Sequence, residues 1–331
     1  MTKMTDMNRR SALSLLAAGA ASTLLPSPAL AGKMAKLALF GPPAGPSVTL
    51  AYAVASGAFD GITDDATFKA WRNPDELRAG LTSGNIGISV VPVQAAANLY
   101  NRGFPIRLAN VMTNGLLYII SEDAGIKSVK DLKGHSIAVP FRGDTPEIIF
   151  GQLLSFNGLN AEQDLQITYA GSPIEAMQLL LAGKVDAALT AEPSTTAGVL
   201  RGRMAGKKVS RVIDIQKAWG EMTGAAPVIP QAGLAVTQAF LDANAEIVTN
   251  IQATLKTVTS EVIEDPQKAA GAATKALGLP APLLAASVPH CNLVARPATE
   301  ARADVERMLS AMAGADMERI GGKLPDDKFY L

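Results

Sequence analysis

Leu37-Ala38-Leu39-Phe40, followed by a Gly/Pro loop and Pro46-Ser47-Val48, is written a second time one hundred residues on, as Ile137-Ala138-Val139-Pro140, Arg142-Gly143-Asp144 and Pro146-Glu147-Ile148. The parallel continues downstream. Trp71-Arg72-Asn73-Pro74-Asp75-Glu76 opens a helical stretch that closes on Leu81-Thr82-Ser83-Gly84-Asn85-Ile86, and Ala170-Gly171-Ser172-Pro173-Ile174-Glu175 opens another that closes on Leu180-Leu181-Ala182-Gly183-Lys184-Val185. Pro74 and Pro173 each stand ten residues ahead of the closing glycine. Arg107-Leu108-Ala109-Asn110 and Arg211-Val212-Ile213-Asp214 read as matching fourth strands. Two copies of one strand–loop–helix–strand unit predict an α/β fold of two similar lobes facing across a cleft, where such folds take small ligands.

The pattern predicts strands at 34–40, 66–71, 86–91 and 105–112, with helices at 46–58, 74–83 and 93–103 between them. A continuous apolar strand at 116–121 follows. The second copy then supplies strands 136–140, 166–169, 185–190 and 209–215 and helices 145–156 and 173–182. Short strands alternating with helices imply mostly parallel sheets covered by helices. Residues 233–237 read as another apolar strand, and from Phe240 to about Gly314 the pattern is helical with a break at Pro280 to Pro282. That last third has no copy in either half and is expected to pack on one lobe. The strands at 116–121 and 233–237 bracket the second copy, so the expected domains are residues 32–118 plus 230–331 for lobe one and 119–229 for lobe two. Two crossings make a two-strand hinge able to close on a ligand.

A chain of 331 residues, 48% hydrophobic and 18% charged, suits two cored domains and excludes a disordered chain. Residues 1–31 read as an export signal. Arg9-Arg10 supply the positive region, Ser11 to Leu25 a short apolar run, Pro26-Ser27-Pro28 a break, and Ala29-Leu30-Ala31 a small-residue cleavage site. Asn8-Arg9-Arg10-Ser11-Ala12-Leu13 resembles a twin-arginine signal, with Ala12 where that pattern prefers a large apolar residue, so general secretion stays open. The mature protein is expected to be soluble in the bacterial periplasm. Setting aside Lys3, Arg9, Arg10 and Asp6 leaves 27 basic against 29 acidic residues, without the basic excess that nucleic acid or an anionic membrane requires. Cys291 is the only cysteine, which excludes an intrachain disulfide and reads as a small buried hydrophobe.

Ser128-Val129-Lys130-Asp131-Leu132-Lys133-Gly134 leads into Ile137-Ala138-Val139 and Arg142-Gly143-Asp144-Thr145, and Leu180-Leu181-Ala182-Gly183-Lys184-Val185-Asp186-Ala187-Ala188 runs on to Glu192-Pro193. These stretches resemble the solute-binding proteins of ABC transporters, in the nitrate/sulfonate/taurine and thiamine-pyrimidine branch, over essentially the whole mature chain. The resemblance implies a two-lobed type II periplasmic-binding fold. It also implies capture of a small solute for a membrane permease and its ATPase, with no cofactor or metal, and a monomer. The shared motifs identify the family well and the solute poorly.

Ligands of open α/β sheets sit beyond the carboxyl ends of strands, where helix N-termini offer free N–H groups and the positive end of a dipole. Ser47 and Thr145 stand at two such termini, each as a ligand contact or a plain cap. Arg142 can clamp a sulfonate, phosphate or carboxylate, or else pair with Asp144. Trp71 and Arg72 end the second strand on the same rim, and Glu192 follows the strand at 185–190, either to meet an amine or as a structural group. Pro43, Val93, Asn114 and Asp144 complete the candidate rim. The same architecture serves an enzyme resembling this family, the fungal thiamine-pyrimidine synthase. That class needs a cysteine-rich motif and histidines, whereas this chain has Cys291, His135 and His290. His135 reads as an exposed turn residue, and His290-Cys291 as lying away from the repeat's rim. No catalytic triad order, metal-ligand spacing or Walker motif is present. The expected activity is therefore binding of a small organic anion, sulfonate or taurine-like ahead of a pyrimidine, with a receptor sensor lobe as a further alternative.

Overall fold

The computed structural model describes residues 33–314 and 316–331, so the predicted export segment lies outside the described residues. In chain order the first half runs β1 (Leu37–Gly41), α1 (Gly45–Ala55), β2 (Ala66–Ala70), α2 (Pro74–Thr82), β3 (Ile88–Pro92), α3 (Val93–Asn101) and β4 (Ile106–Thr113). The second copy follows as β5 (Leu117–Ser121), β6 (Ser136–Pro140), α4 (Thr145–Phe156), β7 (Gln166–Ala170), α5 (Pro173–Leu181), β8 (Ala187–Ala191), α6 (Ser194–Met204), β9 (Ser210–Asp214) and α7 (Ile215–Thr223). The chain then returns through β10 (Ala232–Thr237), α8 (Gln238–Glu264), α9 (Pro266–Leu277), α10 (Ala281–Ser287), β11 (Leu293–Pro297) and α11 (Ala298–Ala313). One sheet has the order β11-β4-β10-β3-β1-β2 and the other β7-β6-β8-β5-β9.

The residues that repeat in the sequence are helix starts and stops. Asn73 accepts from the Glu76 N–H (2.9 Å) while the Glu76 carboxylate accepts from the Arg72 N–H (2.8 Å). Ser172 accepts from the Glu175 N–H (3.2 Å) while the Glu175 carboxylate accepts from the Gly171 N–H (2.7 Å). Each is a reciprocal cap in the manner of a capping box, satisfying donors that the first helical turn leaves orphaned. Pro74 and Pro173 occupy the first turn, where the missing N–H costs nothing. Gly84 (φ 76°) and Gly183 (φ 66°) follow in the left-handed conformation that ends each helix.

The family-like motifs are likewise structural. Ser128 and Asp131 form a capping box on a single 3₁₀ turn, and the Asp131 carboxylate, accepting also from the Lys127 N–H (3.0 Å), is held below the usual carboxylate range by these hydrogen bonds. The Asp186 carboxylate accepts from the Ser136 N–H (2.8 Å) and Oγ (2.7 Å), stitching the start of β8 to β6. His135, read as an exposed turn residue, is half-buried, with Nδ1 3.8 Å from the same carboxylate.

The sheets are mostly parallel, as expected, β1 to β4 sharing one direction and β6 to β9 another, while the crossing strands β5 and β10 run antiparallel to their neighbours β8 and β3. Each crossing enters the other sheet at its carboxyl-end rim and must therefore run against the parallel strands. Residues 293–297, expected to be helical, are the edge strand β11, antiparallel to β4. Helices α6 and α7 occupy stretches where no element was predicted; α6 carries Ser194, Thr195, Thr196, Gly198 and Gly202, which give no apolar stripe. Finally, β5 lies wholly in the second sheet, so the first crossing is at 114–116 rather than after residue 118.

The C-terminal third does not rest on one lobe only. Helices α8 and α9 cover α1, while α10 also touches α6 and α11 also touches α4. One buried cluster accordingly runs from Ile106 and Leu108 through Met308 and Leu309 to Phe150 and Leu153.

Candidate ligand-binding site

The strands β1, β2 and β3 end at the rim where α1, α2 and α3 begin, and β6, β7 and β8 end where α4, α5 and α6 begin. Both crossings, at 114–116 and 224–231, join the two sheets beside these carboxyl-end rims, where the two sets of helix N-termini lie.

The hinge is tied by main-chain bonds. The Asn114 N–H donates to the Asn292 carbonyl (2.9 Å), its carbonyl accepts from the Ile229 N–H (2.8 Å), and the Asn292 side chain donates to the Gly115 carbonyl (2.7 Å). Asn114 thus serves the hinge with its backbone, leaving its buried Oδ1 without a partner. The turn His290-Cys291-Asn292, expected to lie away from the rim, wedges into this crossing. Tyr118 of β5 donates through its hydroxyl to the His290 carbonyl (3.0 Å), with the two rings edge-on at 6.1 Å. Cys291 is fully buried against the first turn of α1, and burial pushes its thiol far above the ordinary range. That is the small buried hydrophobe expected from the sequence.

Behind Tyr118 lies a charged pair. The Arg211 guanidinium sits 5.4 Å over the Tyr118 ring and donates through Nε to Glu192 Oε1 (3.0 Å). The other Glu192 oxygen accepts from the Thr196 N–H (3.1 Å) and hydroxyl (2.7 Å) in the first turn of α6. With Glu192 only 1% exposed and both oxygens engaged, its carboxylate is committed to the lobe's interior rather than to a ligand amine. Arg211 and Tyr118 carry no sequence signal for this role; only the pairing of β9 with β5 brings them to Glu192.

The other candidates divide between wall and rim. Trp71 packs in the core and donates to Ser89 Oγ (3.2 Å), leaving no open ring face. Arg72 points to solvent with its guanidinium 3.1 Å from Glu76. Val93 is fully buried, its N–H bonded to the Gln231 carbonyl (3.0 Å). Pro43 is exposed in the loop before α1. Arg142 does not pair with Asp144. It is exposed, its guanidinium 4.7 Å from the centroid of the half-exposed Tyr169 ring, and has no ion-pair partner among the described residues. Asp144 instead caps α4 by accepting from the buried Thr145 (N–H, 2.6 Å).

The repeat symmetry breaks at one place. Helices α2 and α5 are both capped by their own side chains, and α3 and α6 both start after proline without an N-cap side chain. But α4 is capped by Asp144, whereas its counterpart α1 starts after Ala44, which offers no side chain. Gly45, Pro46 and Ser47 are buried there, and the fully buried Ser47 hydroxyl has no partner. The α1 terminus therefore has no side-chain cap, its Ser47 N–H being met by the Ala44 carbonyl (3.0 Å), while a carboxylate occupies that of α4.

His290, at this crossing, is a group through which acid is expected to lower stability. Burial first, and the Arg211 charge second, hold its imidazole below the ordinary range against the opposing pull of Glu192 and Asp214. A histidine depressed in the folded state contributes fully above its unfolded value of about 6.5, and that contribution is lost as pH falls below it. His290→Gln is expected to flatten the fall in Tm between about pH 7.5 and pH 5 relative to the parent chain. Parallel melting curves in the two variants would refute this.

Among the described residues no group of three His, Cys, Asp or Glu side chains is placed to hold a metal, and no helix is long and apolar enough to cross a membrane. A sequence profile of the family described as the phosphonate periplasmic substrate-binding proteins of ABC transporters matches residues 50–276, more than half of the chain. The chain belongs to this family. This periplasmic substrate-binding family serves transport rather than catalysis. Its fold is shared by an ABC transporter protein from Parabacteroides distasonis (TM-score 0.73, 23% identity, 90% of this chain and 98% of that one). It is shared by the periplasmic aliphatic sulphonate binding protein SsuA of Escherichia coli (0.69, 19%, 89% and 96%). The alkanesulfonate-binding SsuA of Xanthomonas axonopodis pv. citri, bound to MOPS, is also similar (0.61, 18%, 89% and 96%). No curated protein matches the chain. At these identities the structural likeness speaks for the fold of a periplasmic substrate-binding protein.

Proposed function

We propose that this substrate-binding protein captures a small organic anion with a sulfonate or phosphonate-like head group and presents it to an ABC permease and its ATPase. The observation that carries the reading is the asymmetry of the helix caps. A buried α1 terminus without a side-chain cap, with an unpartnered Ser47 hydroxyl, stands at the carboxyl-end rim of the first sheet, and the loop at the same rim of the second carries an Arg142 without an ion-pair partner among the described residues. An oxyanion would satisfy both, accepting from the Gly45 N–H and the Ser47 hydroxyl on one side and from the guanidinium fork on the other. Phe141 and Ile174, 39% and 51% exposed on the same rim as Arg142, suit an apolar tail on that anion. Closure follows if the anion binds the closed form more tightly than the open one. Burial of Trp71 leaves less support for an aromatic pyrimidine ligand. A working monomer exported to the periplasm completes the proposal.

Native mass spectrometry of the exported protein before and after stripping and refolding would reveal a co-purified solute. A calorimetric panel of alkyl sulfonates, taurine, alkyl phosphonates, nitrate and pyrimidines would follow. Arg142→Ala is expected to weaken the best anion by about 1–3 kcal/mol, the scale of a charge-assisted hydrogen bond. Unchanged affinity for every anion in the panel would remove the anionic reading of this loop.

A further inference from the structure

A recess lined by both polar and apolar groups lies away from the carboxyl-end rims, behind the edge of the first sheet. It encloses about 260 Å³ and is lined by Asn110, Gln252, Lys256, Arg296, Pro297 and Glu300, together with two alanines. None of these belongs to the rim loops. Beside the recess the hydrogen-bond ladder slips on both sides of β4. Its register with β10 shifts between Leu234 and Ala235, and its register with β11 shifts between Leu293 and Arg296. Pro297, opposite Asn110, has no N–H to restore the ladder.

Asn110 takes up part of the slack. Its Oδ1 accepts from the Leu234 N–H (3.1 Å), but its Nδ2, with the residue 1% exposed, has no partner. A buried amide with two unused N–H groups is costly unless an acceptor meets it. Three further sources of donors belong to the lining or adjoin it. Helix α11 begins there after Pro297 with no side-chain cap, so its first-turn N–H groups are open. Lys256 lies at the mouth without an ion-pair partner among the described residues. Arg296 spends Nη1 on Asp304 (2.9 Å) and Nη2 on the Glu300 carbonyl (3.0 Å), keeping its other N–H groups. The one carboxylate in the lining belongs to Glu300, an exposed side chain.

We propose that this recess is a binding site for a small oxyanion, separate from the solute cleft, held by Asn110 Nδ2, the first turn of α11 and Lys256. The neutral amide and the helix terminus supply directed donors, and the lysine supplies charge at the entrance. Glu300 opposes the anion and sets its affinity from the rim.

Inorganic phosphate is the probe, titrated into the isotope-labelled protein and followed by amide NMR at constant ionic strength. Saturable shifts are expected at Ala298, Thr299, Glu300 and the Asn110 side-chain amide, and they should persist in Arg142→Ala, which separates this site from the cleft. Lys256→Gln, at an exposed position, should weaken phosphate roughly fivefold, and Glu300→Gln should tighten it by a similar factor, as expected for partly screened charges. Absence of saturable shifts at these amides, or an affinity indifferent to Lys256→Gln, would overturn the proposal.

Discussion

Glu192→Ala is expected to cost about 3–5 kcal/mol of unfolding free energy, the range for removing one partner of a buried ion pair. Its side chain is wholly shielded and that of Arg211 is only 19% exposed, so water can replace only part of what is lost. The substitution leaves a guanidinium over the Tyr118 ring with only the Thr196 hydroxyl (2.6 Å) to receive its N–H groups. It also strips the acceptor from the Thr196 N–H in the first turn of α6. Urea unfolding of the single variant, of Arg211→Met and of the double variant tests the argument. The double variant should be far less destabilised than the sum of the singles, because neither charge is then stranded. A single-variant loss below about 1 kcal/mol would mean the pair behaves as a solvated surface pair.

Gly233→Ala is the second large effect, and here the cause is a backbone. A Cβ at this position would stand 2.2 Å from the Asn110 carbonyl oxygen and 2.8 Å from Leu108 Cδ1. The carbonyl cannot retreat, since β4 and β10 are paired on both sides of the bulge and Asn110 is anchored a second time through its side chain. The expected loss is about 3 kcal/mol, at the upper end for overpacking a rigid site. Because β10 is also the strand by which the chain re-enters the first sheet, the damage should appear in the melting of the whole lobe. Gly271→Ala is the control: nothing lies within 4 Å of its Cβ, and it sits inside α9. There the change should raise stability by about 0.5–1 kcal/mol through helix propensity. If both substitutions moved Tm alike, close backbone approach at Gly233 would not be the reason.

The two predictions rest on features of different legibility. Gly233 could be read as part of an apolar strand, but its contact with Asn110 depends on a bulge that no residue pattern announces. Glu192 was visible as a polar residue after an apolar strand, equally suited to a ligand or to the interior. Its partner Arg211 stands in the fourth strand of the same copy, and only the antiparallel pairing of β9 with β5 turns the guanidinium toward it. The rim followed the same division. Arg142, Thr145, Ser47, Trp71 and Val93 all came from the position of loops after apolar strands, yet only Arg142 is exposed and the other four are buried.

The sequence by itself determined the doubled α/β architecture, the helix starts at Pro74, Thr145 and Pro173, and the family. Caps, proline positions and apolar runs act within a few residues, so their physics is complete in a short window. The tertiary structure decided the rest. It turned β5 and β10 against their neighbours, made an edge strand of residues 293–297, and brought His290-Cys291-Asn292 into the hinge. It also left α1 uncapped while α4 is capped. These outcomes depend on register and on contacts between residues more than a hundred positions apart, such as Tyr118 with His290. Such contacts form because buried polar groups must find partners wherever the packed chain supplies them, and no local pattern encodes that supply.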